Sequence, residues 1–228
     1  MLANFIGYMT PAFDSQLAGR IESSGVVAVL IIDRVEDAVP LAKSLLAGGI
    51  TAMELTLRTP AALDALREVV REVPGILAGA GTILSPAQVT QVVEAGAAFG
   101  VAPGANPRVL AAAREAGLSF APGITTPTDI EIAVENDCRV LKFFPAEPMG
   151  GLKYLKAIAA PYAHFGLKYI PLGGVNEDNM TAYLSDPLIS ALGGSWLAPK
   201  DLIKAGNWDA ITTLAKNASA KVSAARAK

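Results

Sequence analysis

Apolar and polar positions along this chain alternate between two periods. Residues 26–32 form a continuous Val- and Ile-rich run, the pattern of a strand buried on both faces. Ala38, Leu41, Ala42 and Leu45 then recur at helical spacing and stop at Gly48-Gly49. Residues 52–57 predict a second strand. The helix after it, carrying Leu63, Leu66 and Val70, begins near Pro60 and ends before Pro74-Gly75. Residues 76–81 predict a third strand, and Ser85-Pro86 reads as an N-cap followed by proline at the first helical position. Further strands are predicted at 99–102, 119–122, 140–144, 168–172 and 189–192. Helices are predicted at 107–116 and 127–136, and from near Gly151, Asp178 and Trp208.

Roughly eight strand–helix units in 228 residues predict an α/β protein with a closed (β/α)8 TIM barrel. A doubly wound open sheet is the alternative, but no glycine-rich dinucleotide loop follows the first strand. The expected division is a single barrel domain over 26–215, an N-terminal extension with a short helix over 1–25, and a helix end or flexible tail over 216–228. Within the extension, residues 14–24 pair Leu17 with Ile21 on one helical face, suited to closing the bottom of the barrel.

Strand parity brings in chemistry. Side chains alternate across a strand, so Met53, Leu55 and Leu57 share one face, and Glu54, Thr56 and Arg58 the other. Helices should cover the apolar set, so the polar set should face the barrel axis. In 140–144, Val140, Lys142 and Phe144 share parity against Leu141 and Phe143. A carboxylate, a guanidinium and an amine are thereby expected inside one barrel. An ammonium in an apolar strand loses its proton or finds a partner, and a neutral amine forms a Schiff base with a ketone. Two plainer readings compete: a lysine whose head snorkels to water, and a Glu54–Lys142 ion pair that merely fills space. Buried pairs stabilise less well than apolar packing, which favours chemistry at the C-terminal mouth.

Composition narrows the classes. The chain is 52% hydrophobic, as a large core requires, and its formal net charge of −2 offers no basic surface for nucleic acid. One cysteine, Cys138, precludes an internal disulfide, and with one histidine, His164, zinc sites built from several such ligands are excluded. The apolar start from Met1 to Pro11 lacks a basic leader, and no apolar run approaches a membrane span. The expected location is the cytoplasm, with neither membrane nor nucleic acid as partner.

Glycine pairs end the last two predicted strands, in Pro171-Leu172-Gly173-Gly174-Val175 and Gly193-Gly194-Ser195-Trp196. Loops at those strand ends commonly bind phosphate in such barrels. A Cβ at Gly174 or Gly194 would hold an anion away from backbone N–H groups, and Ser195 adds a hydroxyl. The plainer reading of each pair is a turn. Gly79-Ala80-Gly81-Thr82 reads as room for a ligand, or as close strand–helix packing.

These pieces together resemble the 2-keto-3-deoxy-6-phosphogluconate aldolase family of class I, Schiff-base aldolases. The matching motifs are Glu54-Leu55-Thr56-Leu57-Arg58-Thr59, Gly79-Ala80-Gly81-Thr82, Pro103-Gly104, Pro122-Gly123-Ile124, Lys142-Phe143-Phe144-Pro145-Ala146-Glu147, Gly173-Gly174 and Gly193-Gly194-Ser195-Trp196-Leu197. The resemblance implies that Lys142 is the Schiff-base lysine and Glu54 the general acid/base. It implies that Arg58 and Thr82 hold the substrate carboxylate, that Pro103 and Phe144 line the pyruvyl pocket, and that Gly173, Gly174, Gly194 and Ser195 bind the distal phosphate. It also implies a homotrimer that needs no metal or organic cofactor. Family members commonly read Pro-Thr-Gly-Gly where this chain has Pro171-Leu172-Gly173-Gly174, which makes Leu172 the position bearing on specificity. The implied reaction cleaves 2-keto-3-deoxy-6-phosphogluconate to pyruvate and glyceraldehyde 3-phosphate. An aldolase for 4-hydroxy-2-oxoglutarate or an epimeric phospho sugar acid is the alternative enzyme, and a non-catalytic barrel binding a phosphorylated metabolite is the alternative of another class.

Overall fold

A computed structural model of the chain describes residues 13–227, so the apolar start before Phe13 lies outside the described residues. Nine strands among the described residues are parallel to their neighbours: β1 Val26–Leu30, β2 Ala52–Thr56, β3 Leu77–Gly81, β4 Gly100–Val101, β5 Phe120–Ala121, β6 Gly123–Ile124, β7 Val140–Phe143, β8 Lys168–Pro171 and β9 Leu192–Gly194. Ten α-helices accompany them among the described residues: α1 Ser15–Ser24, α2 Ala38–Ala47, α3 Ala62–Glu72, α4 Pro86–Glu94, α5 Pro107–Glu115, α6 Pro127–Glu135, α7 Gly151–Ala159, α8 Met180–Leu184, α9 Lys200–Lys204 and α10 Trp208–Arg226.

The closed eight-stranded TIM barrel expected from the sequence is not what forms. The strands make a six-stranded parallel half-barrel, ordered β5-β4-β3-β2-β1-β9, and a three-stranded sheet, β6-β7-β8. Prolines explain the seams. Pro122 ends the predicted fifth strand, which forms as β5 and pairs with β4, and separates it from β6, which pairs with β7. Proline has no N–H to continue a ladder, although the Pro122 carbonyl still accepts from Lys142 N–H at 2.8 Å. At the other seam β8 ends in Pro171, and only an isolated bridge, Tyr169 to Ile189, reaches toward β9.

The two sheets share one inner core. Val27, Ala52, Leu77, Phe99, Val101, Ala121, Val140, Ile170, Leu172 and Ala191 cluster with Phe13 and Ile21. The opposite strand faces, including Met53, Leu55, Leu141 and Phe143, pack with the helices in a larger outer core. The predicted parities of β2 and β7 therefore hold. Helix α1 forms as expected, capped by Asp14, whose carboxylate accepts from Leu17 N–H at 2.8 Å. Ile21 enters the inner core and Leu17 packs against it. The predicted Ser85 cap with Pro86 opens α4, and Pro107 and Pro127 open α5 and α6. Helix α10 continues past Lys216 to Arg226, burying Ala218, Val222 and Ala225. Among the described residues no helix is long and apolar enough to cross a membrane.

Candidate active site

The C-terminal ends of strands from both sheets surround an open cleft. Its lining includes Glu54, Thr56 and Arg58 from β2 and its end, Thr82 beyond β3 and Pro103 beyond β4. Lys142 joins from β7 and Phe144 from just beyond it, with Leu172, Gly173, Gly193 and Ser195 from the ends of β8 and β9. At its floor Lys142 Nζ stands 3.4 Å from Glu54 Oε1, and the two residues are only 6% and 2% exposed. Lys142 Nζ also lies 5.5 Å from the centre of the Phe144 ring, within cation–π range. Arg58 is exposed at the rim and takes part in none of the ion pairs found among the described residues. A guanidinium left unpaired at the mouth can grip a carboxylate with two parallel hydrogen bonds.

The backbone makes room for this pair. Glu54 is register-paired with Gly79, and a Cβ at Gly81 would overlap the Glu54 carboxylate. Gly81 thus serves the catalytic candidate itself, while Gly79 makes room for the Phe99 ring. Thr82 holds a left-handed φ of 60°. That conformation is costly for a β-branched residue, and such strain concentrates at functional sites.

The predicted phosphate group is divided. Gly173 and Ser195 line the cleft, but Gly174 and Gly194 do not. A Cβ at Gly174 would stand 2.5 Å from Glu147 Cβ, and one at Gly194 2.6 Å from the Trp196 ring. Close packing against protein therefore requires glycine at both positions, whatever their backbone N–H groups bind. Gly193, the first member of the second glycine pair, does line the cleft, and a Cβ there would overlap the Leu172 side chain. Leu172 is 6% exposed and packs into the inner core as well as bordering the cleft. On the inner-core side of the Lys142–Glu54 pair lies a small apolar gap lined by Phe13, Ile21, Val27 and Phe99 among others. Thr56, which parity placed on the inner face, completes the cleft wall with Val29 and Ile31, to which the sequence assigned no role. The only signal for Val29 and Ile31 was their place in the first strand.

Residues 17–214 match the family model described as KDPG and KHG aldolase. This chain belongs to the KDPG and KHG aldolase family. It is 43% identical over 193 residues to the KHG/KDPG aldolase of Escherichia coli K12, covering 85% of this chain and 90% of that protein. The 2-dehydro-3-deoxy-phosphogluconate aldolase of Dickeya dadantii is 42% identical over 208 residues, covering 91% and 97%. Among solved structures, the Zymomonas mobilis 2-keto-3-deoxy-6-phosphogluconate aldolase with 3-phosphoglycerate superposes with a TM-score of 0.82 at 37% identity, covering 91% of this chain and 95% of that one. The Legionella pneumophila KDPG aldolase, with pyruvate captured as a covalent carbinolamine intermediate, gives 0.83 at 38% identity, covering 87% and 96%. Membership makes the chain an aldolase, a lyase acting on carbon–carbon bonds.

Proposed function

We propose that one domain, spanning 26–215, cleaves 2-keto-3-deoxy-6-phosphogluconate into pyruvate and glyceraldehyde 3-phosphate through a Schiff base on Lys142. The observation that carries this reading is the enclosed Lys142–Glu54 pair, 3.4 Å apart, opening toward the unpaired Arg58. Arg58 and Thr82 bind the substrate carboxylate, and Pro103 and Phe144 wall the pyruvyl group. The Lys142 amine attacks the C2 ketone to give a carbinolamine, whose hydroxyl takes up a proton and leaves as water, giving an iminium. Glu54 accepts the C4 hydroxyl proton, directly or through one water. The electrons of the C3–C4 bond flow into the iminium, leaving an enamine and releasing the aldehyde. Glu54 then returns a proton to C3, restoring an iminium, and water hydrolyses it to free pyruvate, the Lys142 amine and the proton taken up at dehydration. Proton transfer of this kind contributes about 10²–10⁴ in rate.

The distal phosphate is placed at Gly173, Gly174, Gly194 and Ser195. Support comes from consecutive left-handed conformations at Gly173 and Gly174, φ 90° and 82°, which only glycine adopts freely. The Zymomonas protein solved with 3-phosphoglycerate lends the same support by likeness. A second reading, cleavage of unphosphorylated 4-hydroxy-2-oxoglutarate, is favoured by Leu172, which offers no hydrogen bond to a substrate hydroxyl, and by the paired KHG/KDPG name of the Escherichia relative. The assembly we infer from the family likeness is a cytoplasmic homotrimer, measurable by light scattering after size-exclusion chromatography.

Borohydride reduction with pyruvate, followed by peptide mapping, tests the covalent step. One pyruvyl adduct on Lys142 is expected. An adduct on Lys153 or Lys168, or none in active enzyme, would refute the mechanism.

A further inference from the structure

Glu147 closes the run Lys142-Phe143-Phe144-Pro145-Ala146-Glu147, yet it does not line the cleft. Its backbone and side chain instead brace the Gly173-Gly174 turn. Ala146 N–H donates to the Leu172 carbonyl at 2.7 Å, and Glu147 N–H to the Gly173 carbonyl at 3.0 Å. Asn179 Nδ2 donates to the Gly174 carbonyl at 3.1 Å. Across a trans peptide, a carbonyl and the next residue's N–H point in opposite directions. With these carbonyls held, the N–H groups of Gly173, Gly174 and Val175 point away from Ala146, Glu147 and Asn179. The turn presents Gly173 to the cleft on its other side.

What secures Glu147 is Tyr183. That residue lies on α8 and is 2% exposed, and its hydroxyl donates to Glu147 Oε1. Burial, reinforced by the hydrogen bond to Glu147, raises the Tyr183 pKa, so the hydroxyl remains a donor across the neutral range. Two glycines clear space for the contact. A Cβ at Gly174 would collide with Glu147 Cβ and Cγ, and one at Gly151 would stand 3.0 Å from Glu147 Oε1 and 3.1 Å from the Tyr183 hydroxyl. The carboxylate also sits beside the first turn of α7, where helix amides favour negative charge.

We propose that Glu147 and Tyr183 are positioning residues for the distal phosphate. Their clamp holds the Ala146-Glu147 backbone where it turns the Leu172 and Gly173 carbonyls inward and aims the Gly173 and Gly174 N–H groups at the anion. This rests on reading that turn as part of the phosphate site. Neither residue touches the pyruvyl end, so the clamp acts on binding of the phosphorylated half of the substrate and not on Lys142 or Glu54.

The test uses the full chain and three variants, Glu147→Ala, Tyr183→Phe and Glu147→Gln. Readouts are KM and kcat for 2-keto-3-deoxy-6-phosphogluconate, the inhibition constant of inorganic phosphate, and exchange of pyruvate methyl protons. Losing a hydrogen bond to a charged group should raise KM and the phosphate constant about tenfold in Glu147→Ala and Tyr183→Phe, with kcat and methyl exchange within about twofold. Glu147→Gln, whose amide oxygen accepts the same hydroxyl, should stay within about threefold of wild type. Glu147 is exposed, so its variants keep the test open should Tyr183→Phe fold poorly. Unchanged constants in the variants, in a wild type that prefers phosphorylated substrate and is inhibited by phosphate, would overturn the clamp and leave the phosphate site standing. Methyl exchange falling as far as substrate binding would reduce the pair to a general structural role and also overturn it. A wild type indifferent to phosphate would remove the phosphate reading and this inference together.

Discussion

Lys142 Nζ lies 3.4 Å from Glu54 Oε1, although 88 positions separate the two residues in the chain. Removing one member of a buried pair leaves the other without its partner, commonly at a cost of about 3–5 kcal/mol. Lys142→Ala should therefore abolish turnover and the borohydride adduct and also lower the melting temperature. A steady-state assay, mass spectrometry and circular dichroism measure the three in turn. Residual wild-type turnover in a folded Lys142→Ala protein would show that another amine does the chemistry.

Glu54→Gln keeps the shape of the side chain and removes the base. Cleavage and exchange of the pyruvate methyl protons should both fall by about 10²–10⁴, while trapping of pyruvate on Lys142 survives in part. Methyl exchange at the wild-type rate would assign the proton transfer to another group.

Gly81 tests how closely the Glu54 carboxylate is placed. A Cβ there overlaps that carboxylate, so Gly81→Ala must displace it from Lys142. Misplacement of about 1 Å costs on the order of a hundredfold in rate. Steady-state kcat, read beside pyruvate trapping, separates a displaced base from a lost nucleophile. An unimpaired kcat would mean that Glu54 works from more than one position.

Leu172 borders the cleft without a hydrogen-bonding group. An apolar wall discriminates by only about 1–3 kcal/mol, so wild-type preference between C4 epimers should be weak. Leu172→Thr should sharpen preference for the gluconate-derived epimer, measured as the ratio of kcat/KM values. A strongly selective wild type whose ratio does not move in Leu172→Thr would place the reading elsewhere.

Asp129 governs an acid-sensitive part of stability. Burial raises its pKa, but hydrogen bonds from Thr125 and Thr126 outweigh burial and hold the carboxyl below its ordinary value. With the folded pKa depressed, the stabilisation is present above the unfolded value and lost as pH falls through the folded one. Asp129→Asn should lower stability near pH 7 by about 1 kcal/mol through the damaged capping box of α6. The deficit should vanish as pH drops well below about 4. Urea midpoints across that range measure it, and a deficit equal at all pH values would contradict the assignment.

The sequence by itself determined much of the local structure and the chemistry of the site. Period-two parity placed Glu54, Thr56 and Arg58 opposite Met53 and Leu55, because a strand has only two faces and only one was apolar throughout. Ser85-Pro86, Pro107 and Pro127 announced helix starts, because capping and a fixed φ act within a few residues. The inward lysine stood out because an ammonium is costly in apolar surroundings. Family likeness then supplied the roles that parity alone could not.

Tertiary structure decided the rest. Whether the strands close into one ladder depended on where Pro122 and Pro171 fell relative to their neighbours' hydrogen-bonding edges, so an eight-unit pattern became two sheets. What each glycine is for depended on the atom opposite it: Glu54 for Gly81, Leu172 for Gly193, Glu147 for Gly174 and Trp196 for Gly194. A glycine in sequence reports only a missing side chain. The partner that needs the space comes from a distant segment, and only packing brings it there.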